Sequence, residues 1–244
     1  GRIYRDWKEG GHGDTNLFKA ITQSSNTYFF DLAYRSNINQ LNKHLSSLGF
    51  GDKACIDCFE EDKVFVPEPS WKMNKHNFGW FKGDTVNMGV GQGYLVSTPI
   101  QLAKYAYIMA NKGKFSDLSL KKDLVKSEKN IEFNKFSNDD WFKLHESMVN
   151  VIEGNTGTAR RLRERKNYIV AAKTGTAELV SGDNREQYSE TRLDDSLRDH
   201  ALIIAFGPMP NPRYAVSVVV ENGESGGSVA GPVAISVLNS LIQE

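Results

Sequence analysis

Apolar residues recur at helical spacing through the first two thirds of the chain and condense into strand-like runs near its end. Two short helical patterns, over 15–21 and 28–34, flank a polar Ser24-Ser25-Asn26 turn. Residues 37–48 carry Ile38, Leu41 and Leu45 on one face and stop at Gly49 and Gly51. The stretch 55–77, broken by Pro67 and Pro69, holds no period and predicts an irregular surface excursion. Thr98 opens the clearest helix. It is an N-cap followed by Pro99 in the first turn, Gln101 placed for a capping box, and Gly113 as the stop. Ile100, Ala103, Ala106, Tyr107 and Ala110 form its expected core stripe, a packing face and not a cofactor box. Residues 115–138 are polar and predict a surface loop. Helical spacing resumes over 139–152 through Trp141, Phe142, Leu144, Met148 and Val149.

Beyond that helix the period changes. Runs at 168–172, 201–206 and 214–220 read as strands, with a long charged connection, 180–197, between the first two. Loops of that length beside a site are often lids or gates, and often simply mobile. A terminal apolar run, 231–242, predicts a helix packed on the sheet. Successive strands on short turns, with helices before and after, predict an antiparallel sheet in an α+β layer fold.

Composition narrows the function classes. The 244 residues suffice for one good core, with no sign of a second domain. Thirty Lys and Arg balance thirty Asp and Glu, so no field for nucleic acid is implied. A basic cluster at 160–166 is the local exception; it reads as a solvated helix face, with a headgroup or cell-wall contact as the alternative. No apolar stretch reaches the ~20 residues needed to cross a bilayer.

The chemistry concentrates at Lys173, Thr174, Gly175, Thr176 and Ala177, directly after the first strand-like run. A cation, two hydroxyls and a glycine on a sheet rim suit a pocket that holds a carboxylate beside an acyl group. The glycine admits close backbone approach, and exposed N–H groups can face a developing oxyanion. Upstream, Ser24-Ser25-Asn26 is either a helix N-cap or the partner of that motif. In this order the two are a Ser-x-Asn and a Lys-Thr-Gly, two of the three motifs of the penicillin-interacting serine enzymes.

Other segments agree. Residues 83–93, from Gly83-Asp84-Thr85 to Gly91-Gln92-Gly93, and 98–103 resemble class B penicillin-binding proteins. Tyr4-Arg5-Asp6-Trp7, Gly11-His12-Gly13 and the run from Leu197 to Ala201 resemble the subgroup called penicillin-binding protein 2, the elongation D,D-transpeptidases. The resemblance spans nearly the whole chain, read as a single partial transpeptidase domain over 1–244. It implies the family's antiparallel sheet between helical layers, with no cofactor.

The third motif, a Ser-x-x-Lys carrying the nucleophile, is expected upstream of Gly1, so the isolated chain is expected to be inactive. Ser119 to Lys122 has that spacing but follows the Ser-x-Asn in a polar stretch and reads as coincidence. The resemblance implies that Ser24 relays a proton between lysine and the leaving nitrogen. Asn26 would bond the substrate backbone and help place the nucleophile's lysine. Lys173 would bond Ser24, while Thr174 and Thr176 hold the substrate carboxylate beside Gly175. The Thr176 N–H would be half of an oxyanion hole. Implied partners are the peptidoglycan stem peptide, β-lactam antibiotics, a SEDS-type glycosyltransferase and elongation scaffold proteins, at the periplasmic face of the bacterial inner membrane. A serine β-lactamase or D,D-carboxypeptidase, or a non-catalytic binding or sensor domain, shares the same motifs and stays open.

Some members of the subgroup bind zinc through two aspartates, a histidine and a cysteine. Asp6 and His12 match two positions, but Ser25 stands at the cysteine's, and no metal is expected. Cys55 and Cys58 read as a disulfide or as two free thiols, without catalytic role. His44, His76 and His145 read as surface or satisfied structural residues, and His200 as a positioning residue.

Overall fold

The computed structural model describes residues 3–122, 124, 128–131, 136–179 and 195–242, so most of the charged connection 180–197 lies outside the described residues. The chain divides into two compact units. The first comprises Gly1–Ala20 and Ser25–Asn138, the second Ile21–Ser24 and Asp139–Glu244.

Helices dominate the first unit. Helix α1 (Leu17–Gln23) begins there, and α2 (Asn26–Arg35) is N-capped by Ser25, whose side chain accepts from the Tyr28 amide. Helix α3 (Ile38–Ser47) is capped by Asn37 and ends before Gly49 and Gly51, both at positive φ. The stretch expected to be irregular holds α4 (Pro69–His76). Proline suits a first helical turn, where no amide donor is needed, and Asn77 at φ 57° closes the helix. Its burial comes from a charge: Lys72 is enclosed against Asp84 of α5 (Lys82–Met88) at 2.5 Å, with its ammonium over the Phe81 ring.

Helix α6 (Pro99–Ala110) carries the expected capping box; the Gln101 amide donates to Thr98 Oγ1 at 3.2 Å and Thr98 N donates to Gln101 Oε1 at 3.0 Å. Its core stripe differs from the expected one. Ala106 and Ala110 are buried, Ile100, Ala103 and Tyr107 only half-buried, while Gln101 and Lys104 are buried. Polar partners make this possible: Gln101 Nε2 donates to Asp52 O at 2.6 Å, and Lys104 pairs with Asp117 at 3.2 Å. Phe115, expected in a loop, lies in β1 (Lys114–Phe115), which pairs antiparallel with β2 (Lys129–Asn130).

Cys55 and Cys58 form a disulfide, Cα atoms 5.3 Å apart, which settles the alternative left by the sequence. Between them Asp57 accepts from the Leu120 and Lys121 amides and from Ser119 Oγ, at 2.8, 3.2 and 2.8 Å. Ser119 thus anchors a loop.

The second unit is built on the sheet order β3-β4-β5, all antiparallel: β3 (Ala171–Ala177), β4 (His200–Gly207) and β5 (Tyr214–Val220). The first strand does not stop at 172. It runs through the Lys-Thr-Gly motif, pairing Lys173 with Ile204 and Gly175 with Leu202. One sheet face, including Ala172, Ala201, Ile203 and Ala205, joins Ala234, Ile235 and Leu238 of the terminal helix α8 (Gly231–Ile242) in the core. From the opposite face Phe206 meets the ring of His145 edge-on at 5.4 Å. His145 belongs to α7 (Asn138–Glu153), so helices pack on both faces of the sheet. On α7 the buried positions include His145 and Ser147, and Phe142 is exposed. The basic cluster forms a 3₁₀ helix, Arg160–Arg165, that buries Leu162 in the core and pairs Arg163 and Lys166 with Glu153. No described helix is long and apolar enough to cross a membrane.

Candidate active site

Ser24 follows the last turn of α1 with φ 57°, a left-handed backbone that a side chain disfavours. The segment 21–24 is held there by its neighbours. Thr22 Oγ1 donates to Ser147 O at 3.1 Å, the Thr158 amide donates to Thr22 O at 3.4 Å, and Gln23 Nε2 reaches Thr156 Oγ1 at 3.1 Å. This tethering places Ser24 Oγ 2.7 Å from Lys173 Nζ, which donates to it and also to Thr174 O at 2.7 Å. Desolvation of the ammonium end lowers the Lys173 pKa to about 8, so the group is still largely charged at neutral pH.

Strand alternation separates the motif's other side chains from the lysine. Thr174 and Thr176 pair across β4 with Ile203 and Ala201, on the α8 face, whereas Lys173 and Gly175 belong to the other. Thr174 Oγ1 lies 2.7 Å from Thr158 Oγ1, and Thr176 Oγ1 points toward Glu224 O at a long 3.5 Å. Among the described residues β3 is an edge strand, so both its faces reach the same rim.

The close backbone approach expected at Gly175 comes from inside the fold. A π-helical turn, Gly226–Ala230, lies against it: a Cβ on Gly226 would stand 2.7 Å from Gly175 O and 2.2 Å from Leu202 O. A Cβ on Gly175 would meet only Leu202 Cβ, at 3.4 Å. His200 positions the loop before this turn, since its Nδ1 accepts from the Asn222 amide at 3.0 Å. Asn222 Nδ2 in turn donates to Ser196 O and Arg198 O, both at 2.9 Å. Sequence reasoning missed Thr158, Asn222 and Gly226. The Gly226-Gly227 doublet was the one available signal.

Asn26, the other Ser-x-Asn residue, belongs to the first unit as the opening residue of α2. Asp6 brackets it. Asp6 Oδ2 accepts from Ser25 Oγ at 2.9 Å, the Thr27 amide at 3.1 Å and Thr27 Oγ1 at 2.9 Å, while Oδ1 meets His12 Nε2 at 3.0 Å. Burial alone would raise the Asp6 pKa, but the Thr27 and Ser25 hydrogen bonds and the charge of His12 together hold it below the ordinary carboxylate value. These residues do not fit the zinc centre of the subgroup. The carboxylate oxygens and the His12 nitrogen are already bonded to one another and to hydroxyl and amide donors, and a serine hydroxyl replaces the thiolate. Among the described residues the one cluster of acidic, His or Cys groups close enough to share a metal is Cys55, Asp57 and Cys58, whose thiols are consumed by the disulfide.

The family described as penicillin binding protein transpeptidase domain matches residues 1–239, across both units. The peptidoglycan D,D-transpeptidase MrdA of Haemophilus influenzae is 36% identical over 249 residues, which cover 99% of this chain and 38% of that protein. MrdA of Acinetobacter baumannii is 37% identical, covering 93% of this chain and 34% of its own length. Among solved structures, Pseudomonas aeruginosa PBP2 in complex with WCK 5153 superposes with a TM-score of 0.85 at 35% identity, covering 99% of this chain and 52% of that one. Helicobacter pylori PBP2 in complex with MreC gives a TM-score of 0.84 at 32% identity, covering 98% and 42%. The chain therefore spans well under half the length of these curated relatives.

Proposed function

The chain belongs to the penicillin-binding protein transpeptidase family, and from that premise we propose that it supplies the proton-relay and substrate-carboxylate side of a peptidoglycan D,D-transpeptidase that works through a serine acyl-enzyme. The observation that carries the reading is the 2.7 Å hydrogen bond from Lys173 to a Ser24 held in left-handed backbone. A serine serving only as an N-cap needs neither feature; here the cap is Ser25.

The chemistry follows from donors and acceptors. Lys173 is a donor to Ser24 Oγ, so the hydroxyl's own proton is directed elsewhere and can pass to a leaving amine as Oγ takes up the proton that the acylated serine gave to the lysine of its Ser-x-x-Lys motif. The ammonium raises the positive potential where negative charge develops on the acylated carbonyl. An extended stem peptide laid along the rim of β3 would find main-chain partners there, with the Thr174 and Thr176 hydroxyls for its terminal carboxylate and the Thr176 N–H for the oxyanion. Asn26 is the amide that orients the peptide backbone. The acylated serine is assigned to a Ser-x-x-Lys segment of the longer protein, and both compact units to one transpeptidase domain.

β-Lactams, as mimics of the acyl donor, are the inhibitors this chemistry takes. The match to a PBP2 bound to MreC supports elongation scaffold proteins as partners, with a SEDS-type glycosyltransferase beside them, at the periplasmic face of the bacterial inner membrane. The test is acylation of the longer protein by a penicillin, followed by intact mass. A drug-sized adduct that persists supports a transpeptidase; rapid loss of the adduct points to a β-lactamase; no adduct on a folded protein points to a non-catalytic domain.

A further inference from the structure

Asn26 sits between two residues that share one acceptor. Ser25 Oγ, Thr27 N and Thr27 Oγ1 all converge on Asp6 Oδ2, at 2.9, 3.1 and 2.9 Å. The carboxylate is shielded from water, its side chain 2% exposed, and its second oxygen is tied to a His12 equally buried. Lys19 Nζ fastens the His12 end of this loop through the carbonyls of His12 and Asp14, at 2.6 and 2.8 Å.

We infer that Asp6 is the positioning residue for Asn26: three donors from the residues on either side of it converge on one buried carboxylate oxygen and fix the first turn of α2, without a metal. A charged acceptor makes stronger bonds than a neutral one, and inside a buried network the loss of a partner is costly. The capping bond of Ser25 to the Tyr28 amide, at 3.4 Å, is weak by comparison. The turn's geometry is therefore set from Asp6 more than from its own cap.

The inference rests on the transpeptidase reading, in which Asn26 touches the substrate. The experiment is the acylation of the longer protein by a penicillin, measured as separate acylation and dissociation constants, for wild type, Asp6→Asn, Asn26→Ala and the double variant. Asp6→Asn leaves the three donors a neutral carbonyl oxygen in place of a charged one and turns an amide donor toward the His12 nitrogen, and is expected to slow the acylation step roughly 10- to 100-fold. The double variant should be no slower than Asn26→Ala alone, because both changes remove the same placed amide. Thr27→Ser, which keeps the hydroxyl, should retain the wild-type rate. Dialysis against a chelator should leave it unchanged. Where Asp6→Asn does not fold, Ser25→Ala removes one donor and should show the same non-additivity at a smaller loss. Independent, multiplicative losses, an unchanged rate in Asp6→Asn, or slowing by the chelator would each overturn the inference. Hydrogen exchange at the Thr27 amide separates this from failure of the transpeptidase reading. It should rise at least tenfold in Asp6→Asn whether or not the protein is acylated, and unchanged exchange would overturn the clamp by itself.

Discussion

Lys173 Nζ stands 2.7 Å from Ser24 Oγ, joining residues 149 positions apart in the chain. The ammonium is buried enough to lose part of its proton affinity, yet two of its three donors bond the serine and Thr174 O. This gives the pair a pH signature. The folded-state pKa of Lys173 is about 8, against 10.5 for the ordinary group. Between those values the unfolded chain holds a proton that the folded chain has released, so the lysine's unfavourable contribution is constant below the window and fades as pH rises through it. The stability difference between wild type and Lys173→Met should therefore shift in favour of wild type by on the order of 1–3 kcal/mol from pH 8 to 10.5. Urea melts across that range measure it; a flat difference would mean that the ammonium is not desolvated.

Ser24 separates backbone from hydroxyl. At φ 57° a Cβ is strained, so Ser24→Gly should be more stable than Ser24→Ala by about 1 kcal/mol. Both should lose acylation alike, since both lack Oγ. Thermal melts and adduct formation on the two variants test this together, and equal stability would remove the strain argument.

Gly226 and Gly175 should behave in the opposite way from what the motif suggests. Gly226→Ala drives a methyl into Leu202 O and Gly175 O, both backbone, and should destabilise by about 3 kcal/mol or more. Gly175→Ala meets only Leu202 Cβ at 3.4 Å and should cost less than about 1.5 kcal/mol in folding. Chemical denaturation ranks them directly.

In the first unit, Asp84→Ala strips the counterion from Lys72, whose side chain is 5% exposed. An uncompensated buried ammonium should cost roughly 3–5 kcal/mol, whereas Lys72→Met with Asp84→Ala should recover much of it. A double-mutant cycle in melting experiments reads the coupling, and additive losses would show that the pair is not a unit.

Local chemistry made much of this legible in the sequence. The capping box at Thr98 and Gln101, the strands at 201–206 and 214–220, and the terminal helix were readable because caps and periods are properties of neighbouring residues. Helix α4 was not, since its burial depends on Lys72 finding Asp84 twelve residues away and on aromatic rings around it. The same holds for Lys104 on α6, a charge in a stripe that an apolar pattern passes over. At the candidate site, the motifs pick out Ser24 and Lys173, and the fold brings the two side chains together. Thr158 and Gly226 are not picked out in this way, because the hydroxyl pair with Thr174 and the contact with Gly175 exist only once the sheet and the π-helical turn meet. In the sequence Asp6 stands out only as half of a metal-ligand pattern, and its place as an acceptor is visible only with the three donors folded around it.

Intact mass after exposure to a penicillin reaches the core of the proposal most directly, on the longer protein as wild type, Lys173→Met and Ser24→Ala. The wild type should gain one drug-sized adduct within minutes, and the two variants should gain it at least a hundredfold more slowly. An adduct that forms at the wild-type rate in both variants would contradict the role given to the Lys173–Ser24 pair.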